Sequence, residues 1–101
     1  MFEVDGKNYE LRYNLKRLQA LENALGQSLM DLLIKTSGAL KINDMVTVFA
    51  HGLAGEDGIY CPIKKGKEEA EKIMEAEGYQ KMLMEVVTTL QDNCPFLFQA
   101  D

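Results

Sequence analysis

His51 is the only histidine and the first residue to test for acid–base or nucleophilic chemistry. A catalytic triad needs a histidine that activates a Ser or Cys nucleophile, and nothing in the sequence points to such a pairing. Helical spacing places His51 beside Thr47, on the flank of an apolar face. We therefore expect a surface or boundary histidine, and we assign no catalytic residue.

Cys61 and Cys94 are the other candidate nucleophiles or metal ligands. A structural zinc site needs about four ligands, which one histidine and two dispersed cysteines do not supply. The glycines form neither a dinucleotide-binding nor a P-loop pattern. We expect no metal and no cofactor. The N-terminus shows no signal-peptide pattern, which favours a cytosolic chain with free thiols, although a Cys61–Cys94 disulfide stays open.

A cluster of glutamates is the remaining candidate for catalysis. Its members are Glu68, Glu69, Glu71, Glu75 and Glu77. Spacings of three and four residues would bring two carboxylates together on a helix, as acid–base catalysis requires. The same spacing is more often a solvated helix face, and that is what we expect.

The net charge of -5 is unevenly distributed. Residues 1–54 carry six basic and six acidic side chains, whereas residues 55–101 carry five basic and ten acidic ones. An acidic chain lacks the Lys and Arg clusters that neutralise phosphates, which argues against nucleic-acid binding. No apolar run approaches the roughly 18–20 residues that cross a bilayer, so we expect no membrane partner.

The pattern of residues 2–13 predicts a β-hairpin, against which the helices that follow would pack. Apolar and charged residues alternate on both sides of Asp5-Gly6, a strong signal for a type I′ turn. The apolar face should lie over a core that helices cover. Residues 59–63 are short, apolar and marked by Pro62, and they fit either an edge strand or an extended connection.

Spacings of three and four residues predict the helices. Asn14 and Gly26 bound the first, Ser28 opens a short second, and residues 36–38 break it. Ile42 to Leu53 share one apolar face, with Leu53 as its last member. Two more helices follow, over residues 67–77 and from Tyr79 to Leu90. The sequence thus predicts an α+β fold, mostly α: one domain over residues 1–101, with an N-terminal β-hairpin and four to five short helices.

Four apolar residues near the C-terminus are candidates for binding a partner: Met84, Phe96, Leu97 and Phe98. Met84 lies off the main apolar stripe of its helix, and methionine suits adaptable binding surfaces. The terminal Phe-Leu-Phe triplet must dock either on its own core or on another chain. We expect the triplet to pack against the chain's own core, as an added strand beside the hairpin. If the triplet is exposed instead, it would be a site for binding a partner. Exposure of Met84 or the tail would also permit self-association.

Three segments together resemble a known family. The hairpin over residues 2–14 feeds a helix that closes with a leucine, glutamate, glycine, leucine signature over residues 21–29. A third helix then begins near Ile42-Asn43-Asp44-Met45 and ends in Ala50-His51-Gly52-Leu53. Over residues 2–98 this layout resembles the tail assembly chaperones of long-tailed phages and prophages, in the gene-transfer-agent-like branch.

The resemblance implies a non-enzymatic role in virion morphogenesis. Such chaperones act in the cytoplasm of the bacterial host and are absent from the mature virion. They coat the tape measure protein and help recruit tail tube protein onto it. In many such phages a ribosomal frameshift yields a longer form, and this chain would match the short one. The family has no catalytic residues to assign to this sequence.

Three other functions compete with this one. A small cytosolic adaptor or regulator that binds a single protein partner would have a similar sequence. A helix-turn-helix DNA-binding protein needs a basic recognition helix, but residues 43–53 contain no Lys or Arg. A small enzyme is disfavoured because no catalytic constellation is present.

Overall fold

A computed structural model describes residues 2–35 and 39–98. It confirms the expected α+β fold, mostly α, in which a hairpin precedes five helices. The strands are β1 (Phe2–Val4), β2 (Lys7–Leu11) and β3 (Leu53–Gly55). The helices are α1 (Leu15–Leu25), α2 (Leu29–Lys35), α3 (Ile42–Gly52), α4 (Ile63–Glu77), α5 (Tyr79–Asn93) and the 3₁₀ turn η1 (Pro95–Leu97).

The hairpin forms as its sequence predicts. Asp5 and Gly6 have φ values of 51° and 80°, the positive values that a type I′ turn requires. β1 pairs antiparallel with β2, so that Phe2 lies opposite Tyr9. Both side chains are buried while Glu3 between the apolar positions is exposed, so one face of the hairpin covers the core.

The third strand was not expected from the sequence. β3 pairs antiparallel with β2, with Leu11 opposite Leu53, and completes a sheet in the order β1-β2-β3. Leu53 was predicted to continue the apolar face of α3, but that helix ends at Gly52. The prediction was wrong because hydrogen bonding to β2 overrides the helical period. The N–H of Arg12 donates to the Gly52 carbonyl oxygen at 2.7 Å just where the helix becomes a strand.

The segment after β3 is a connection with a single β-bridge, between Ala54 and Tyr60. α4 then starts at Ile63, one turn earlier than the predicted residues 67–77, directly after Pro62. Proline suits this position because its fixed φ is compatible with helix entry. Gly78, with a φ of 92°, separates α4 from α5 as expected.

The predicted helix caps are present. The Asn14 Oδ1 accepts the N–H of Arg17 at 2.8 Å, and Gly26 ends α1 in the left-handed conformation with a φ of 72°. The Ser28 Oγ accepts the N–H of Asp31 at 3.1 Å at the start of α2. The break predicted at residues 36–38 lies outside the described residues.

Helix α3 is the centre of the core, packed between α1 and α4 and in contact with the sheet and α5. Its Phe49 meets Phe2 of β1 edge-to-face, with ring centroids 5.2 Å apart. Gly66 allows α4 to approach closely, because a Cβ at that position would lie 2.9 Å from the Ala50 carbonyl oxygen.

Ile42, predicted to share the apolar face of its helix, is instead exposed, and so is Leu15 of α1. Each is the first residue of its helix, so its side chain lies beyond the edge of the packing interface. Within residues 2–35 and 39–98, no helix combines the length and the apolar character that crossing a bilayer requires.

Candidate functional site

Helix α5 has an outward apolar side as well as its buried one. Met82, Val86 and Leu90 are fully buried. Met84 is 68% exposed, as its position off the main stripe predicted. Val87 belongs to the apolar spacing of three and four residues that predicts a helix from Tyr79 to Leu90, yet it is 36% exposed. Because it lies three residues after Met84, it shares the outward side, and this spacing was the signal that sequence reasoning missed.

The C-terminal triplet divides between the core and the surface. Leu97 packs against the core, whereas Phe96 and Phe98 are each 44% exposed. The segment is a 3₁₀ turn against α5, in which the N–H of Leu97 donates to the Cys94 carbonyl oxygen at 3.0 Å. The expected strand beside the hairpin is wrong: β3 pairs with β2 instead, and Pro95–Leu97 forms a 3₁₀ turn, which the fixed φ of Pro95 favours.

We call Met84, Val87, Phe96 and Phe98 the apolar stripe. They lie on α5 and on the turn that packs against its end. All four are partly or largely exposed. Burying an apolar side chain would stabilise the fold, so their exposure calls for an explanation. Exposed apolar side chains on one helix and on the turn that follows it are candidates for a site of protein interaction.

The end of α5 that carries the stripe is fixed to the core. The Asn93 Oδ1 accepts the N–H of Tyr13 at 3.1 Å, and the Tyr13 hydroxyl donates to the Val48 carbonyl oxygen at 2.8 Å. Burial raises the pKa of Tyr13 far above its usual value, so the hydroxyl stays protonated and keeps donating. The stripe is therefore presented on a rigid support.

His51 is buried, only 4% exposed, and the expectation of a surface or boundary residue is wrong. Its Nδ1 lies 2.8 Å from the Thr47 carbonyl oxygen, which only accepts, so Nδ1 carries the proton. Burial lowers the pKa of His51, and the nearby charges of Arg17 and Lys67 lower it further. His51 is thus a neutral part of the packing.

Arg17 joins this buried histidine to the loop before α4. Its Nε donates to the His51 carbonyl oxygen at 2.8 Å, and its guanidinium carbon lies 4.2 Å from the centre of the Tyr60 ring. A cation over an aromatic face is held by the ring's quadrupole. The arrangement fixes α1, α3 and the loop together.

The glutamate cluster is only partly a solvated face. Glu68, Glu71 and Glu75 are exposed as expected, but Glu69 is 2% exposed and lies under the hairpin. Its Oε1 lies 3.4 Å and 3.6 Å from the Nζ atoms of Lys65 and Lys72. Burial raises the pKa of Tyr9, and a hydrogen bond with Glu69 raises it further. No sequence pattern signals this burial, because it depends on how the hairpin lies over α4.

The two cysteines are free in this structure, with Cys94 buried and Cys61 half-buried. Burial raises the pKa of both thiols, which keeps them protonated and poorly nucleophilic at neutral pH. No group of three or more potential metal-ligating side chains occurs in the described part of the chain.

Comparison with known proteins adds one finding. A family model described as phage tail tube protein, GTA-gp10, matches residues 1–92. No curated protein and no solved structure matches the chain. The matched region contains Met84 and Val87 and stops before Phe96 and Phe98.

Proposed function

This chain belongs to the phage tail family described as tail tube protein, GTA-gp10, and we propose that it is a tail assembly chaperone that binds the tape measure protein. The chaperone role is finer than the family description. It is supported by one observation above the others, the apolar stripe on α5 and η1.

The chemistry of the stripe suits a partner that is long, helical and apolar. Such a chain aggregates unless its apolar surface is covered before the tail tube encloses it. A small acidic domain gains solubility from its net charge of -5 and could cover that surface reversibly.

Adaptable side chains and repetition support the same role. Methionine tolerates varied partner surfaces, as a chaperone that binds many sites along one chain requires. Weak contacts repeated along a single partner gain strength through effective concentration. The proposed role is non-enzymatic, takes place in the host cytoplasm and leaves the chaperone outside the mature virion.

The family description supports a second candidate, a structural subunit of the tail tube. The two roles differ in where the chain ends up. A tube subunit remains in purified particles at many copies, whereas a chaperone is absent from them. Mass spectrometry of purified particles therefore separates them. An adaptor for a single protein partner is the remaining alternative.

Co-expression with the tape measure protein of the same phage or prophage tests the proposal directly. We expect the tape measure protein to become soluble and to elute with many copies of this chain in sizing chromatography. Recovery of this chain alone, with the tape measure protein insoluble, would remove the proposed role and favour the adaptor.

A variant pair assigns the effect to the stripe. Met84→Ser/Phe96→Ser/Phe98→Ser should lose the rescue of the tape measure protein. Ile42→Ser/Ile59→Ser also removes exposed apolar side chains, but outside the stripe, and should retain the rescue. Equal loss in both variants would mean that the stripe has no special role.

A further inference from the structure

The apolar stripe has an acidic border along one side of α5. Helical spacing places Glu85 and Asp92 on this side, seven residues apart, which corresponds to two turns or roughly 10 Å. Lys81 lies on the same side, but its Nζ is 2.6 Å from the Glu77 Oε1. The hydrogen bond to Glu77 raises the pKa of Lys81, and Glu85 adds to the effect. The border therefore carries two carboxylates, Glu85 and Asp92, in addition to the Lys81–Glu77 ion pair.

The path of the stripe fits a helix better than an extended segment. Met84 and Val87 are about one turn apart on α5, and Phe96 lies in the 3₁₀ turn that follows the helix. A partner helix laid along α5 would present apolar side chains at intervals of three or four residues, which matches this row. An extended partner would present every second side chain and needs a free sheet edge for its backbone. The four stripe residues lie on α5 and in or beside η1 rather than on an edge strand of the sheet, so the stripe offers no such edge.

We propose that the apolar stripe binds an amphipathic helix with Lys or Arg along one border of its apolar row. Two such cations, seven residues apart, would face Glu85 and Asp92. The inference rests on the proposed function, because it specifies which kind of tape measure segment the chain binds. Charge complementarity selects this partner: an acidic helix would meet the same border with repulsion.

Two matched peptides test the charge requirement on the unaltered chain. Each is an amphipathic helix about 18 residues long with the same leucine row, and its border carries Lys in one peptide and Glu in the other. We expect the Lys peptide to bind about tenfold more tightly by fluorescence anisotropy, and the difference to shrink at high salt. Equal affinities of the two peptides would overturn the proposal.

Reversing the charges of the acidic border tests whether the preference between the two peptides arises there. Glu85→Lys/Asp92→Lys should reverse the preference between the two peptides. The control, Glu68→Lys/Glu71→Lys, makes the same change in net charge on the exposed side of α4 and should keep the original preference. Circular dichroism verifies that both variants fold. A reversal in both variants would attribute the preference to overall charge and overturn the assignment to this border.

The outcomes separate this inference from the proposed function. Rescue of the tape measure protein by both the unaltered chain and Glu85→Lys/Asp92→Lys would keep the chaperone role and exclude the basic helix. Failure of the unaltered chain to rescue it, with the peptide preference intact, would exclude the tape measure protein as partner but retain the basic helix.

Discussion

The Glu22 carboxylate on α1 accepts the backbone N–H of Leu29, the first residue of α2, at 2.7 Å. This contact bridges the turn at Gly26 and satisfies one of the donors that every helix N-terminus leaves free. It explains the leucine, glutamate, glycine, leucine signature of residues 21–29 in physical terms. The glutamate fixes the angle at which the second helix leaves the first.

Replacing Glu22 should therefore loosen α2. Glu22→Ala removes the acceptor and should lower the free energy of unfolding by about 0.5–2 kcal/mol, the usual cost of a lost helix cap. Glu22→Gln keeps an acceptor oxygen and should lose less. Urea titration measures the stability, and hydrogen exchange should show faster exchange of the Leu29 amide in Glu22→Ala. Unchanged exchange there would contradict the capping role.

The effect of Gly66→Ala on stability depends on how closely α3 and α4 approach each other at this residue. At an open helix position, Gly→Ala stabilises a protein by about 1 kcal/mol. At Gly66 the new Cβ would meet the backbone oxygen of Ala50 at 2.9 Å, so α3 and α4 must separate. We expect Gly66→Ala to destabilise the fold by about 1–3 kcal/mol, measured by urea titration. A gain in stability would show that the two helices adjust freely.

Local signals predicted the parts of the fold that depend on neighbouring residues. The Asp5-Gly6 turn, the Asn14 cap and the Gly26 terminus each depend on residues within four positions of one another, and all were confirmed. β3 could not be predicted, because its pairing with β2 joins residues more than forty positions apart. The helical period also favoured the wrong assignment for Leu53.

The candidate site was partly predictable for the same reason. Helical spacing predicted the exposure of Met84, but the division of the terminal triplet into an inward Leu97 and two outward phenylalanines depends on how η1 packs on α5. Burial of His51 and Glu69 arises from elements far away in sequence. A polar residue fits the pattern of an exposed helix position, so the sequence does not reveal that distant elements will bury it.

His51 predicts a dependence of stability on pH. Its pKa is lowered from the ordinary value of 6.5, so the unfolded chain takes up a proton at a higher pH than the folded one. Its contribution to stability is therefore complete above pH 6.5 and decreases as the pH falls from there towards the folded pKa.

His51→Asn retains a donor for the Thr47 carbonyl oxygen and removes the titration. Comparing urea titrations of the two proteins from neutral to mildly acidic pH isolates this residue, since the carboxylates titrate in both. We expect the unaltered chain to lose more stability than His51→Asn on acidification. Parallel curves would show that His51 titrates alike in the folded and unfolded states.

Within the terminal triplet, we expect Leu97 to contribute mainly to stability and the two phenylalanines mainly to binding. Leu97 packs against the core, so Leu97→Ser should lower the free energy of unfolding by about 1–3 kcal/mol. Phe96→Ser/Phe98→Ser removes two half-exposed rings and should cost less than the single Leu97 change, while it abolishes rescue of the tape measure protein. Urea titration and co-expression of the two variants side by side measure both effects. If the double phenylalanine variant unfolds as readily as Leu97→Ser, the triplet belongs to the core and the apolar stripe ends at Val87.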